Sequence, residues 1–422
     1  MADVVTDSLA AMSLEDRCKA CAKPTPLPAL ICFKCSEGKS SEGTSTYIKY
    51  CSVQCRTADQ DEHAQHCKNQ NVRKAIYRAG GLLKGAFHQM RLRAFDLKIA
   101  SVEKKDGILY FKDDDYYGRD EFPFYNFPAD TVKDQEDVQA LLSYAFCNDA
   151  PVFLDALAKK ALEGLASSIE QAVLQISAPC KVRRIFPSGD VVPDVDYHSV
   201  MGIDGYDGQS YIIDTTGAQH GQFKAVVPLR SYIEQNDARV RKMYYAGGPR
   251  VAMIKQIKAT LEKPDSDPRG SIGLFKLATA LNRTVQEWED RNQTSIGKLL
   301  QSDKKTFTEG KKQLIHEIGV AMSIALKEIY EETDVKKTLD WLYDPAGQGA
   351  KDSGATTNDD GRMSCMVTNK VEGSGLYKMW VAQNRADLQA PNPHWWKTKL
   401  EPHLAAGGNI KLAWPSQGQA PA

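Results

Sequence analysis

Four pairs of metal-ligand residues constrain this chain more than anything else in it. They are Cys18-x2-Cys21, Cys32-x2-Cys35, Cys51-x3-Cys55 and His63-x3-Cys67. The stretch they span holds seven of the ten cysteines and two of the eight histidines. Eight ligands suffice for two tetrahedral zinc ions. The stretch is poor in large apolar residues and has no tryptophan. About fifty such residues cannot bury an adequate core, so bound metal has to supply the missing stability. The x2 pairs suit tight knuckle turns. The x3 pairs suit helices, where i and i+4 share a face. His66 directly precedes Cys67, so on a helix it points away from the Cys67 face, and His63 is the expected ligand. "SEGKSSEGTSTYIKY", between the second and third pairs, is rich in Gly, Ser and Thr and reads as a hairpin tip or insertion.

Whether these cysteines read as ligands or as disulfides depends on the compartment. The first seventeen residues carry Asp3, Asp7, Glu15 and Asp16 and lack the basic and apolar regions of a secretory signal. No stretch approaches 18 consecutive apolar residues, so no membrane helix is expected. The expected location is therefore the cytoplasm or nucleus, where thiols stay reduced and paired cysteines read as metal ligands. The 54 basic residues equal the 54 acidic ones. That balance argues against a nucleic-acid binder, which needs a concentrated positive surface.

The segment "YCSVQC", seven residues, His, three residues and Cys resembles the MYND-type zinc finger, and the order of all eight ligands matches that family. The match covers residues 18–67. The family's usual Asp-Trp before the histidine is Asp59-Gln60 here, and the gap from Cys35 to Cys51 is longer than usual. The resemblance implies interleaved binding, with Cys18, Cys21, Cys51 and Cys55 on one zinc and Cys32, Cys35, His63 and Cys67 on the other. It also implies a protein-interaction module whose partner is a short proline-containing peptide.

The remaining 350 or so residues read as a larger α+β body with a helical C-terminal part. Residues 70–250 are expected to form an α+β domain. Apolar residues from Val72 to Met90 recur at helical spacing, with Gly80-Gly81 weakening the middle. Alternation around Lys105-Asp106-Gly107 predicts a β-hairpin. Val138 to about Ser177 reads as helical, and residues 181–214 as three short strands with glycine turns. Residues 264–344 read as helical, 345–360 as a flexible linker, and 361–414 as an aromatic-rich segment that packs back on the body.

A second constellation lies in "DYHSVMGID" and "YIIDTTGAQ". With a turn at Tyr206-Asp207, His198 falls nearly opposite Asp214 or Thr215, and cross-strand Cβ atoms lie about 4.5–5.5 Å apart. This stretch resembles the His and Asp strands of the transglutaminase-like and papain-like fold. There the order is Cys, His, Asp, with the cysteine at a helix N-terminus. Cys147 precedes a predicted helix and is the first candidate nucleophile, and Cys180 is the second. The other reading is a structural hydrogen-bonded pair in a non-catalytic domain. Taken together, the sequence points to a zinc-binding adaptor or scaffold. The alternative is a thiol-dependent hydrolase or acyltransferase with a Cys147–His198–Asp214 site.

Overall fold

The computed structural model describes residues 17–26, 29–113, 124–194, 196–261, 269–331 and 373–389. Of the loose leader expected at residues 1–17 only Arg17 is among these; the linker expected at 345–360 lies outside them, as do Trp395, Trp396 and Trp414.

The N-terminal region contains little regular structure. Strands β1 (Leu30–Ile31) and β2 (Lys49–Tyr50) pair antiparallel. Helix α1 (Val53–Ala58) follows, its first turn capped by the Ser52 hydroxyl accepting from the Cys55 N–H. Helix α2 (Gln60–Arg93) is one continuous element of 34 residues. The sequence suggests a short ligand helix and then a separate one from Asn71, but the structure joins them. Its first turns carry His63 and Cys67, and Ala75 to Met90 build the body's core. Gly80 does not break it. A Cβ at Gly80 would stand 2.2 Å from Val226 Cγ2, so the glycine lets a strand lie against the helix.

The predicted hairpin is β3 (Ile99–Lys105) and β4 (Ile108–Asp113). Asp106 and Gly107 both have positive φ, at 51° and 76°, as a type I′ turn requires. Helices α3 (Gln135–Ser143) and α4 (Ala150–Leu162) follow. The helix expected to reach Ser177 stops at Leu162. Gly164, at φ 70°, takes the left-handed conformation that ends it. The rest of that stretch is strand β5 (Ala166–Gln175).

Next come β6 (Val182–Ile185), β7 (Tyr197–Gly205), β8 (Ser210–Ile213), β9 (Val226–Pro228), α5 (Leu229–Gln235) and β10 (Arg239–Tyr245). Five strands form an antiparallel sheet in the order β10-β5-β7-β8-β9. β6 instead pairs in parallel with β4 to make a small second sheet. The chain continues through α6 (Gly248–Leu261), α7 (Arg269–Asn292), α8 (Ile296–Gln301) and α9 (Lys304–Glu331), and α10 (Gly375–Gln389) comes last. The fold is mixed α+β with a helical C-terminal part. Among the described residues, no helix is long and apolar enough to cross a membrane.

Strand alternation decides which layer each residue joins. Met201, Ile203, Tyr211 and Ile213 face the main core with α2, α4, α7 and α9. Val200 and Ile212 face the other side, where Tyr232 of α5 and Leu376 of α10 cover them. The cysteine-rich region is bolted to this body. Glu37 accepts from Arg78 Nη2 at 2.9 Å and from the Lys304 backbone N–H at 2.9 Å. Tyr77 donates to the Ser41 carbonyl at 2.6 Å, and Arg78 Nη1 reaches the Ser302 carbonyl at 2.6 Å.

Candidate functional site

Two ligand clusters form at the N-terminus. Cys18, Cys21, Cys51 and Cys55 make one, and Cys32, Cys35, His63 and Cys67 the other. Within each quartet the ligand atoms lie within 4.8 Å of one another. Cys51 Sγ is 3.5 Å from both Cys21 Sγ and Cys55 Sγ. Tetrahedral zinc with 2.3 Å bonds needs sulfurs about 3.8 Å apart, so the spacing fits. In the second cluster Cys35 Sγ stands 3.3 Å from His63 Nε2. His63 and Cys67 are buried, whereas His66 is exposed on the neighbouring face of α2. Tyr50 donates to Asp59 at 2.7 Å, tying β2 to the start of α2.

The thiols of each quartet also split in pKa: against burial, backbone hydrogen bonds lower Cys18 to about 6 and lower Cys32 too, while neighbours rise. Burial, and then the charges of Cys32 and Cys67, push the Cys35 thiol well above the usual range. Cys51 rises to about 12 through its hydrogen bonds with Cys21, Cys55 and Cys18. Crowded thiolates repel, and a divalent cation reverses that balance. The first quartet offers four thiolates, the second three thiolates and an imidazole. Both are soft, closed donor sets of the kind that suits zinc. Each cluster can hold one metal ion.

The second arrangement lies in the body. His198 Nε2 is 3.0 Å from Asp214 Oδ2, with both side chains buried. The ladder pairs Met201 with Ile213 and Asp204 with Ser210, and β8 ends at Ile213, so Asp214 directly follows the strand. The imidazole and carboxylate meet as the strand pattern suggested. Asp214 Oδ2 also accepts from Tyr232 Oη at 2.7 Å, and its Oδ1 from the Thr216 N–H at 3.0 Å. The other ring nitrogen, Nδ1, lies 3.4 Å from Gln219 Nε2, and the Cys147 thiol is close enough for the imidazole to act on its charge.

Cys147 is partly exposed and lies three residues before α4. Burial alone would raise its pKa, but the His198 hydrogen bond and charge outweigh that and lower it. Burial likewise opposes charge on His198, but Asp214 and Cys147 raise it to about 10. Asp214 is held low against its own burial by His198, Tyr232 and the Thr216 amide. The three shifts act together, each favouring the charged form of its group: thiolate, imidazolium and carboxylate.

No protein-family model, curated protein or solved structure matches this chain. The sites stand on their geometry.

The structure separates the two cysteine candidates. Cys180 is buried, its thiol donates to the Val182 carbonyl at 3.0 Å, and burial raises it to about 11. Only Cys147 engages His198. Three further residues escaped sequence reasoning. Tyr232 grips Asp214 from α5, a helix away. Gln219 accepts from the Ala145 N–H at 3.2 Å and brings its Nε2 to 3.4 Å from His198 Nδ1. The His220 ring sits 5.0 Å from that of His198, and burial together with the His198 charge lowers it to about 4. The run "TTGAQH" directly after Asp214 was the available signal for the last two.

Proposed function

We propose that this chain is a zinc-binding protein whose residues 18–67 are a MYND-type finger serving protein–protein interaction. The observation that carries this reading is the pair of interleaved quartets, which join ligand pairs one and three, and two and four. Two ions bridging alternate pairs would lock a stretch that has almost no core of its own. The finger also presents large side chains to solvent: Phe33 is 80% exposed within the second knuckle, and Val53 52%. An aromatic on a rigid frame suits an extended proline-containing peptide, which loses little entropy on docking.

Metal analysis tests the ligand assignment. The protein should carry two zinc ions, His63→Ala one, and His66→Ala two. A wild-type content clearly below two, or equal loss in both histidine variants, overturns it. Zinc-loaded protein should bind members of a proline-containing peptide array, and Phe33→Ala should lose that binding while keeping its metal.

A second reading is favoured by the Cys147–His198–Asp214 contacts: a thiol-dependent hydrolase or acyltransferase in the body. The Cys147 thiolate would attack an acyl carbonyl, forming a C–S bond. The tetrahedral species would collapse as the leaving group departs with the proton held on His198. Water or a second acceptor would then attack the thioester and give its proton to His198, freeing the thiolate. Asp214 would hold the ring in the orientation both transfers need. Thiol labelling at neutral pH tests it. Cys147 should react faster than a simple thiol, and a rate no greater ends this reading.

A further inference from the structure

A cleft of about 630 Å³ opens beside the middle of α2. It lies apart from both metal clusters, and Cys147 does not line it. The volume falls in the range of small-molecule sites. Its charge is one-sided. Lys84 from α2 and Lys311 from α9 line it, His88 one turn beyond Lys84 joins them as an imidazole that burial and Lys84 lower to about 4, and among the described residues no Asp or Glu does.

Lys84 is buried, with 8% of its surface exposed, and its Nζ donates to the Phe223 carbonyl at 2.7 Å. An ammonium group has three donors, so this bond leaves two. Among the described residues, Lys311 has neither an ion pair nor a hydrogen bond. His88 Nε2 is buried with no partner. Cations this deep in a protein are ordinarily paired. Here the nearest compensation for Lys84 is the field of Asp214, which is already committed to His198 and Tyr232. Burial lowers the pKa of Lys84 and Lys311 alike.

The backbone makes room for the arrangement. Gly81 and Gly85 lie on the same side of α2 as the lysine and histidine. A Cβ at Gly85 would stand 2.8 Å from Ile315 Cδ1, and one at Gly81 3.4 Å from Lys311 Nζ. Their absence lets α9 bring its lysine down onto α2. Val132, Val138 and Leu142 add apolar surface to the lining, and Gln135 and Gln139 add amide groups. The cleft thus offers both cationic and hydrocarbon surface.

We propose that this cleft binds a small organic anion, a carboxylate or phosphate monoester with an apolar body, its charge held by Lys84 and Lys311 and His88 contributing a neutral imidazole. The proposal is independent of both the metal clusters and the Cys147 site.

Titration calorimetry on the full zinc-loaded chain at low salt tests it, with phenyl phosphate and phenylacetate as probes. At least one should bind saturably with one site per chain, and the preferred probe identifies which anion the cleft takes. Lys311→Met should weaken binding about tenfold or more, the loss expected for a charge-assisted contact, while Lys311→Arg largely restores it. Lys84→Met should weaken it too. Lys311 makes no internal bond among the described residues, so its variant keeps the test decisive if Lys84→Met does not fold. No saturable binding of either probe at millimolar concentration overturns the proposal. So does equal affinity in Lys311→Met, or binding of benzyl alcohol as tight as that of the anions.

Discussion

At His198 the balance of burial against charge can be followed atom by atom. A buried imidazole alone would be neutral. The carboxylate at 3.0 Å and the nearby Cys147 thiol reverse that. Tyr232 and the Thr216 amide hold Asp214 as a carboxylate, which favours the imidazolium and through it the thiolate. The sign of the pH dependence follows. A lowered thiol pKa leaves Cys147 as thiolate at pH values where a simple thiol, near 8.5, is protonated. Its labelling rate should therefore fall off at lower pH than that of the simple thiol. Asp214→Asn removes the charge that raises His198. The imidazolium then becomes harder to keep, and because His198 acts on the thiol more strongly than Asp214 does directly, the labelling profile should move to higher pH. An unmoved profile would mean that Asp214 does not act on the thiol through His198. The His198–Asp214 pair was legible because both residues flank one turn at Asp207. Tyr232 was not, since only the folded sheet brings α5 beneath Asp214.

Among the elements, β5 and α2 show how local signals succeed and fail. In β5 the residues Glu170, Gln171 and Ala172 are buried in succession, because the strand lies between β10 and β7 with cover on both faces. A strand buried on both sides has no alternation to read, and its apolar residues can match a helical period by accident. The hairpin at Asp106-Gly107 was legible because its turn requires positive φ at two adjacent residues. Paired glycines on α2 predict opposite outcomes. Gly80→Ala puts a Cβ 2.2 Å from Val226 and should destabilise by roughly 1–3 kcal/mol. Gly81→Ala meets nothing closer than Lys311 Nζ at 3.4 Å and should stabilise by roughly 0.5–1 kcal/mol through helix propensity. Denaturant melts of the two variants decide. Equal effects would show that close packing is not why Gly80 is there.

For the whole molecule, the metal clusters and the body share a helix. Composition changes after Cys67, and residue 70 reads in the sequence as the start of a new unit. That change marks where metal gives way to core, while α2 runs on through it. The ligand pairs were legible because coordination chemistry imposes spacing on the sequence. Their attachment was not, because contacts such as Glu37 to Arg78 and to the Lys304 amide join residues far apart in the chain. Chelation should therefore weaken more than the finger. Stripping zinc with a chelator should lower the melting temperature of the entire chain by roughly ten degrees or more, in a single transition. Two separate transitions, the upper one unmoved, would show that the body folds without regard to metal.

The same helix has a place in the order of synthesis. α2 leaves the ribosome well before α9, against which its apolar side packs and which ends at Glu331. At 5–20 residues per second that partner arrives roughly 10–50 s later. Helix nucleation is the costly step, and fixing one turn removes most of that cost. His63 and Cys67 are one turn apart at the start of α2, and the rest of their quartet has already been made. A metal ion in that quartet would thus reach this helix before α9 does. A single captured ion would start the helix from its N-terminal end and keep it formed until the core arrives.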